Sequence, residues 1–177
     1  MKICIDAGHT GVDPGAVGAR GTHESDINLR IAQILRDKLE ARGCSVIMTR
    51  ALYYQPALDD LARRAEISNN YESDYFVSIH CNAATTTAAH GFEVYYFNGS
   101  RMGNILAGKI CQQLDNQLVF ANRGIKPADF QVLRETNCPA VLVECGFITN
   151  PDEEKFLLGI LGQVAVAQAI ADGLCEP

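Results

Sequence analysis

The chain predicts a three-layer α/β domain built on a mostly parallel sheet of about six strands. Two observations carry that expectation. Short apolar runs rich in β-branched residues alternate along the chain with longer stretches of helical periodicity. The apolar runs also end in chemically capable side chains, as strands do where a parallel sheet presents its carboxyl edge.

Taken in order, Lys2 to Asp6 reads as a short buried strand, and the stretch from Gly8 to Gly21, with Pro14 and five glycines, as a loop. Ile27, Ile31, Ile34, Leu35 and Leu39 then fall at i, i+4, i+7, i+8 and i+12. That spacing makes one helical face, and Gly43 stops it. Val46-Ile47-Met48 is the second strand. Leu58, Leu61, Ala62 and Ala65 mark a second helix, and Tyr75 to Ile79 a third strand. Gly91 to Tyr96 alternates as a half-buried strand does, and Ile105, Ile110, Leu114 and Leu118 belong to a third helix. A short strand is expected near Gln131 to Leu133, then a buried one over Ala140 to Val143. After the capped start Asn150-Pro151-Asp152, helical sequence runs to about Leu174. No internal repeat, low-complexity tract or linker divides residues 1–177, so a single domain is expected.

Composition narrows the class. The chain is 47% hydrophobic and 20% charged, which is ordinary for a globular domain and excludes disorder. Its formal net charge is -6, and Lys and Arg are scattered singly or in pairs such as Arg63-Arg64. Without a basic run, no nucleic-acid partner is expected. The seven cysteines lack CxxC spacing and read neither as a disulfide framework nor as a structural zinc site. Cys4, Cys81 and Cys145 lie within apolar runs, where cysteine behaves as a small hydrophobe. The N-terminus MKICID enters a strand directly, without the profile of a signal peptide. No stretch approaches the ~20 apolar residues of a membrane span. The expectation is cytoplasmic synthesis of a monomer that does not engage a membrane.

Four residues carry the chemistry. His9 follows the first strand, His80 and Glu144 close apolar runs, and Glu24 opens the first helix. Two imidazoles and a carboxylate make a three-ligand set typical of catalytic zinc, which leaves a position for water. A second carboxylate nearby can manage the proton. The chain therefore reads as a metallohydrolase. Glu24 in a first helical turn is also what the helix dipole favours with no metal at all, and His23 beside it offers an alternative ligand. Glu144 is the stronger signal, because four apolar residues precede it and a glutamate is seldom buried unpaired. Cys81 and Cys145 are each expected to point away from their functional neighbours, since faces alternate along a strand.

Segments along nearly the whole chain, from Ile3 to about Gly173, match one family in order. They are Asp6-Ala7-Gly8-His9, Asp13 to Gly18, Glu24 to Leu29, Thr49-Arg50, Leu61 with Arg64 and Asn69, and Val77 to Ala83. Arg123 to Lys126, Val132 to Arg134, and Pro139 to Phe147 ending in Asn150-Pro151 complete the series. Together they resemble the zinc-dependent N-acetylmuramoyl-L-alanine amidases of cell-wall lysis, in the type 3 branch that includes endolysin catalytic domains. The resemblance implies an α/β/α sandwich around a twisted mixed sheet. It matches His9, Glu24 and His80 to the ligands of one zinc ion per chain and Glu144 to the catalytic glutamate. Departures are mild: Ala7 stands where Pro is usual, Thr10 where a second Gly is common, Cys81 for Ala and Thr149 for Ser.

The resemblance implies hydrolysis of the amide between N-acetylmuramic acid and L-alanine in peptidoglycan, acting at the cell wall. Asn82, Arg123, Lys126 and Arg134 are candidate contacts for peptide carboxylates or the oxyanion. A zinc peptidase cutting within the stem peptide is the nearest alternative. An inactive wall-binding module is less favoured, because binding needs no general base. Some members of the family carry a helical plug, but Ala83 to His90 is too short for a stable helix.

Overall fold

The computed structural model describes residues 1–52 and 60–175. In chain order the elements are β1 (Lys2–Ala7), α1 (Glu24–Ala41), β2 (Ser45–Met48), α2 (Leu61–Tyr71), β3 (Tyr75–Asn82) and β4 (Phe92–Phe97). There follow α3 (Arg101–Gln117), β5 (Asn122–Ala128), α4 (Gln131–Arg134), β6 (Ala140–Phe147), α5 (Pro151–Leu158) and α6 (Ile160–Cys175). The six strands form one sheet in the order β2-β1-β3-β6-β4-β5. Every neighbouring pair is parallel except β4 with β6, so the sheet is mixed, and helices cover both faces.

Alternation along the strands sorts side chains between two unequal layers. Ile3 and Ile5, Val77 and Ile79, and Val141 and Val143 enter the larger core, which packs against α1, α3 and α6. Their neighbours Cys4, Phe76, Ala140 and Leu142 enter a smaller cluster with Val132 and Leu133. By the same period of two, Asp6, Ser78, His80 and Glu144 share the smaller layer's face. Among the described residues that face carries only the short α2 and α4, which leave a cavity at its carboxyl edge. Cys81 and Cys145 fall into the larger core, on the opposite face from His80 and Glu144.

Three expectations change. The segment Gln131–Arg134 is a single helical turn rather than a strand, with Val132 and Leu133 both buried in the smaller cluster. The sixth strand is instead Asn122–Ala128, an edge strand that pairs with β4 alone. None of its residues is fully buried and it contains Pro127, which an edge strand tolerates, so no apolar run announces it. The C-terminal helix is two helices bent by 83°. Gly159 is extended at the break, and a Cβ on Gly162 would lie 2.1 Å from the Phe156 carbonyl oxygen, so α6 can start tightly against α5 only with glycine there.

The second helix begins at Leu61, capped by the Asp60 side chain; Leu58 lies outside the described residues. Ala83 to His90 form turns with no helix, as their length requires. Among the described residues no single helix is long and apolar enough to cross a membrane.

Candidate metal centre

Three elements converge at the carboxyl edge of β1 and β3. His9 sits just past β1 in the left-handed region, with φ of 60°. A non-glycine residue there is strained and needs support. Arg64 of α2 supplies it: its Nη2 donates to the His9 carbonyl at 2.9 Å, and its Nη1 to Ala7 O at 2.9 Å and Asp6 Oδ1 at 2.6 Å. Asp6 also accepts from Thr49 at 2.7 Å and Ser78 at 2.6 Å. Asp6 is fully buried, which alone would raise its carboxyl, but Arg64 and the two hydroxyls outweigh this and hold it low. Arg50 donates to Ala7 O, Gly8 O and Ser25 O, tying the β1 exit to the start of α1. The Thr49-Arg50 and Arg64 motifs thus fix the backbone that carries His9 and Glu24.

The side chains then meet. His80 Nδ1 lies 2.9 Å from Glu24 Oε1, and His9 Nε2 lies 3.2 Å from Glu24 Oε2. One donor atom from each of the three residues lies within 4.8 Å of the other two. Ligands on a tetrahedral zinc at ~2.05 Å stand about 3.3 Å apart, so the donor chemistry and the two imidazole–carboxylate separations of 2.9 and 3.2 Å fit that ion. Two glycines make room. A Cβ on Gly8 would lie 2.3 Å from His80 Nε2, and one on Gly15 would lie 2.6 Å from both Glu24 Oε2 and the His9 ring. His23 occupies the N-cap position of α1 without a side-chain capping bond and stands outside the trio.

The electrostatics suit a cation. Burial opposes charge on Glu24, yet its contacts with His80 and His9 push its carboxyl well below the usual range. Burial likewise opposes charge on His9, but Glu24 and Asp13 lift it to about 9. Asp13 was not singled out from sequence. Its Oδ2 lies 2.7 Å from His9 Nδ1, which leaves Nε2 aimed at the trio and fixes the ring as carboxylate partners of metal-bound histidines do. Its spacing of four residues from His9 within the glycine-rich loop was the available signal. Asn28, one turn into α1, donates to Glu24 Oε1 at 3.3 Å; its spacing of four residues from Glu24 on one helix face was the signal there.

Glu144 stands directly opposite His80 in the β3–β6 pairing and lines one cavity with His9 and His80. The cavity encloses about 400 Å³, with Leu61, Phe130, Val132 and Leu142 forming an apolar wall. Burial pushes Glu144 up to about 7, with Glu24 and Glu93 adding to the rise. Its Oε2 is buried and has no hydrogen-bond partner among the described residues. This is a carboxylate poised to exchange a proton near neutrality.

The remaining candidates separate. Asn82, Arg123 and Lys126 gather on the buried carboxylate of Glu93, which sequence reasoning passed over. Arg134 instead pairs with Asp129 at 2.5 Å and borders a different hollow beside Cys138 and Pro139.

Residues 3–176 match the family model described as N-acetylmuramoyl-L-alanine amidase. Among curated proteins, the chain is 36% identical over 176 residues to the "Probable cell wall amidase LytH" of Staphylococcus saprophyticus, covering 97% of this chain and 56% of that protein. It is 35% identical to "N-acetylmuramoyl-L-alanine amidase LytC" of Bacillus subtilis, covering 97% of this chain and 34% of that one. The chain thus spans about half the length of the former and a third of the latter. Among solved structures, the N-acetylmuramoyl-L-alanine amidase of Clostridium difficile 630 superposes with a TM-score of 0.93 at 35% identity, over 98% of this chain and 94% of that one. The amidase AmiC2 of Nostoc punctiforme gives a TM-score of 0.92 at 33% identity over the same shares.

Proposed function

The chain belongs to the N-acetylmuramoyl-L-alanine amidase family, and from that premise we propose that it hydrolyses the amide joining the lactyl group of N-acetylmuramic acid to L-alanine in peptidoglycan. In this reading residues 1–177 are one catalytic domain acting at the cell wall. His9 through Nε2, Glu24 through a carboxylate oxygen and His80 through Nδ1 hold one zinc ion. The observation that carries the reading is the trio of donors, two of which (His9 and His80) share one cavity with a buried Glu144 oxygen that has no partner among the described residues.

An amide is a poor electrophile with a poor leaving group, so the site must help both ends. Bound zinc would supply Lewis acidity, acidifying water and polarising the scissile carbonyl. Glu144 Oε2 accepts the proton that the attacking water loses. It then delivers that proton to the departing alanine nitrogen as the C–N bond breaks, leaving a lactyl carboxylic acid and a neutral amine; the acid's proton then passes to the amine, giving a carboxylate and an ammonium group. The raised Glu144 pKa serves both halves, since the group must take and release a proton within one turnover. Asp13 holds the His9 ring in register, and Arg64 holds the backbone beneath it. The apolar wall of Leu61, Phe130, Val132 and Leu142 excludes water from one side of the cleft. Asn82, Arg123 and Lys126 contact substrate polar groups on the other; Arg134, engaged elsewhere, contributes less.

The test is product chemistry. Purified chain loaded with zinc should release peptides bearing free L-alanine amino termini from peptidoglycan, and leave lactyl carboxylates on the glycan, both read by mass spectrometry. Chelation should abolish the release and zinc should restore it. Products with other new termini would identify a stem-peptide peptidase instead.

A further inference from the structure

The row of charged residues does not stop at Glu144. His80 of β3 faces Glu144 of β6, and Glu144 faces Glu93 of β4, each in direct register. Residues directly opposite each other share a sheet face, so His80, Glu144 and Glu93 form one line across the strands. Glu93 is buried, at 2% exposure, in a strand that otherwise alternates apolar residues. It is saturated with donors. Its Oε1 accepts from Asn82 and from Tyr95, both at 2.7 Å. Its Oε2 accepts from Arg123 Nε at 2.9 Å and from Lys126 Nζ.

A single cation would neutralise this carboxylate, and two are present. Among the described residues neither Arg123 nor Lys126 pairs with any other carboxylate, so the cluster carries one unmatched positive charge. Both side chains remain partly open, at 39% and 38% exposure. Arg123 also sits over the Phe147 ring, its Cζ 5.0 Å from the centroid, which restricts where its guanidinium can turn. An anchored, restrained and charge-surplus pair of cations is a preorganised receptor for an anion.

Its distance from the chemistry selects the anion. Glu93 lies one strand spacing, about 4.8 Å, beyond Glu144, and Arg123 and Lys126 reach its carboxylate from β5, the next strand out. An extended peptide covers about 3.5–7 Å in one to two residues. We propose that Arg123 and Lys126, held by Glu93, form a subsite for the free carboxylate carried by the second stem-peptide residue, so that the chain prefers stem peptides in which this group is not amidated. The proposal rests on the amidase reading above, because the scissile bond fixes the register of the peptide.

The test uses two matched substrates, N-acetylmuramoyl-L-alanyl-γ-D-glutamyl-L-lysine amides whose glutamate α-carboxyl is either free or a carboxamide. With wild-type zinc-loaded protein, the carboxylate form should be cleaved with kcat/KM about 10-fold or more higher, the difference lying in KM, as a charge-assisted contact requires. Lys126→Met should shrink that ratio several-fold. A wild-type ratio near one, or an undiminished ratio in Lys126→Met, overturns the subsite while leaving the amidase reading intact. Release of free alanine amino termini from neither substrate would overturn both.

Discussion

Glu144→Gln should make the protein more stable and nearly inactive at once. The substitution keeps the shape of the side chain but removes its charge. Burial raises the Glu144 carboxyl from its ordinary 4.5 to about 7. A carboxyl whose folded pKa lies above its unfolded value favours the folded state least when ionised. Its penalty is absent below about 4.5, grows as pH rises towards 7, and is complete above that. The gap corresponds to about 3 kcal/mol at pH 8. For a domain of this length, that is a shift in Tm of about 6–12 °C. Metal-free Glu144→Gln should therefore melt higher than metal-free wild type at pH 8, and the two should converge near pH 4.5. Zinc should narrow the difference, since a nearby cation favours the carboxylate. Turnover should fall by roughly 10²–10⁴, the usual worth of a positioned general base, with zinc content unchanged. The assay is a thermal melt at the two pH values beside zinc analysis and muropeptide release. Unchanged cleavage with full zinc would refute the general-base role, and a lower melt at pH 8 would refute the burial argument. Loss of zinc in this variant would mean that Glu144 is itself a ligand.

Three further outcomes are expected. His80→Ala should lose zinc and activity together, and stoichiometric zinc in that variant would overturn the ligand assignment. Arg64→Met strands the buried Asp6 carboxylate and frees the His9 backbone; breaking a buried pair of this kind costs about 3–5 kcal/mol, so Tm should fall by about 6–20 °C and zinc affinity with it, measured by melt and by competition with a chelator. All seven cysteines are unpaired, so thiol titration of the unfolded chain without reductant should find seven, and a count of one would contradict the fold.

Residues with a strong local signal were legible in the sequence. The apolar runs at Ile3, Val77 and Val141, and the spacing of Ile27, Ile31, Leu35 and Leu39, specify buried strands and an amphipathic helix, because burial on a fixed period leaves its mark in composition. His9, His80 and Glu144 stood out because polar residues at the ends of such runs are costly unless used, whereas Glu24, at the start of a helix, stood out only as the carboxylate that completes a two-imidazole set. What failed had no such mark. The edge strand Asn122–Ala128 buries little and carries Pro127, so only its pairing with β4 reveals it. The adjacent Val132 and Leu133 imitate a strand but form a helical turn under the smaller core. The break at Gly159 follows from the close approach of Gly162 to Phe156, a contact between helices that no local pattern encodes. The same is true of the supporting charges. Asp6 with Arg64 is separated by 58 residues and Glu93 with Lys126 by 33, and their pairing is decided by strand register and face. The sequence by itself determined which residues could perform the chemistry, since that depends on side-chain type and local burial. Only the tertiary structure decided which charges meet, because a buried charge takes whatever partner the strand order places beside it.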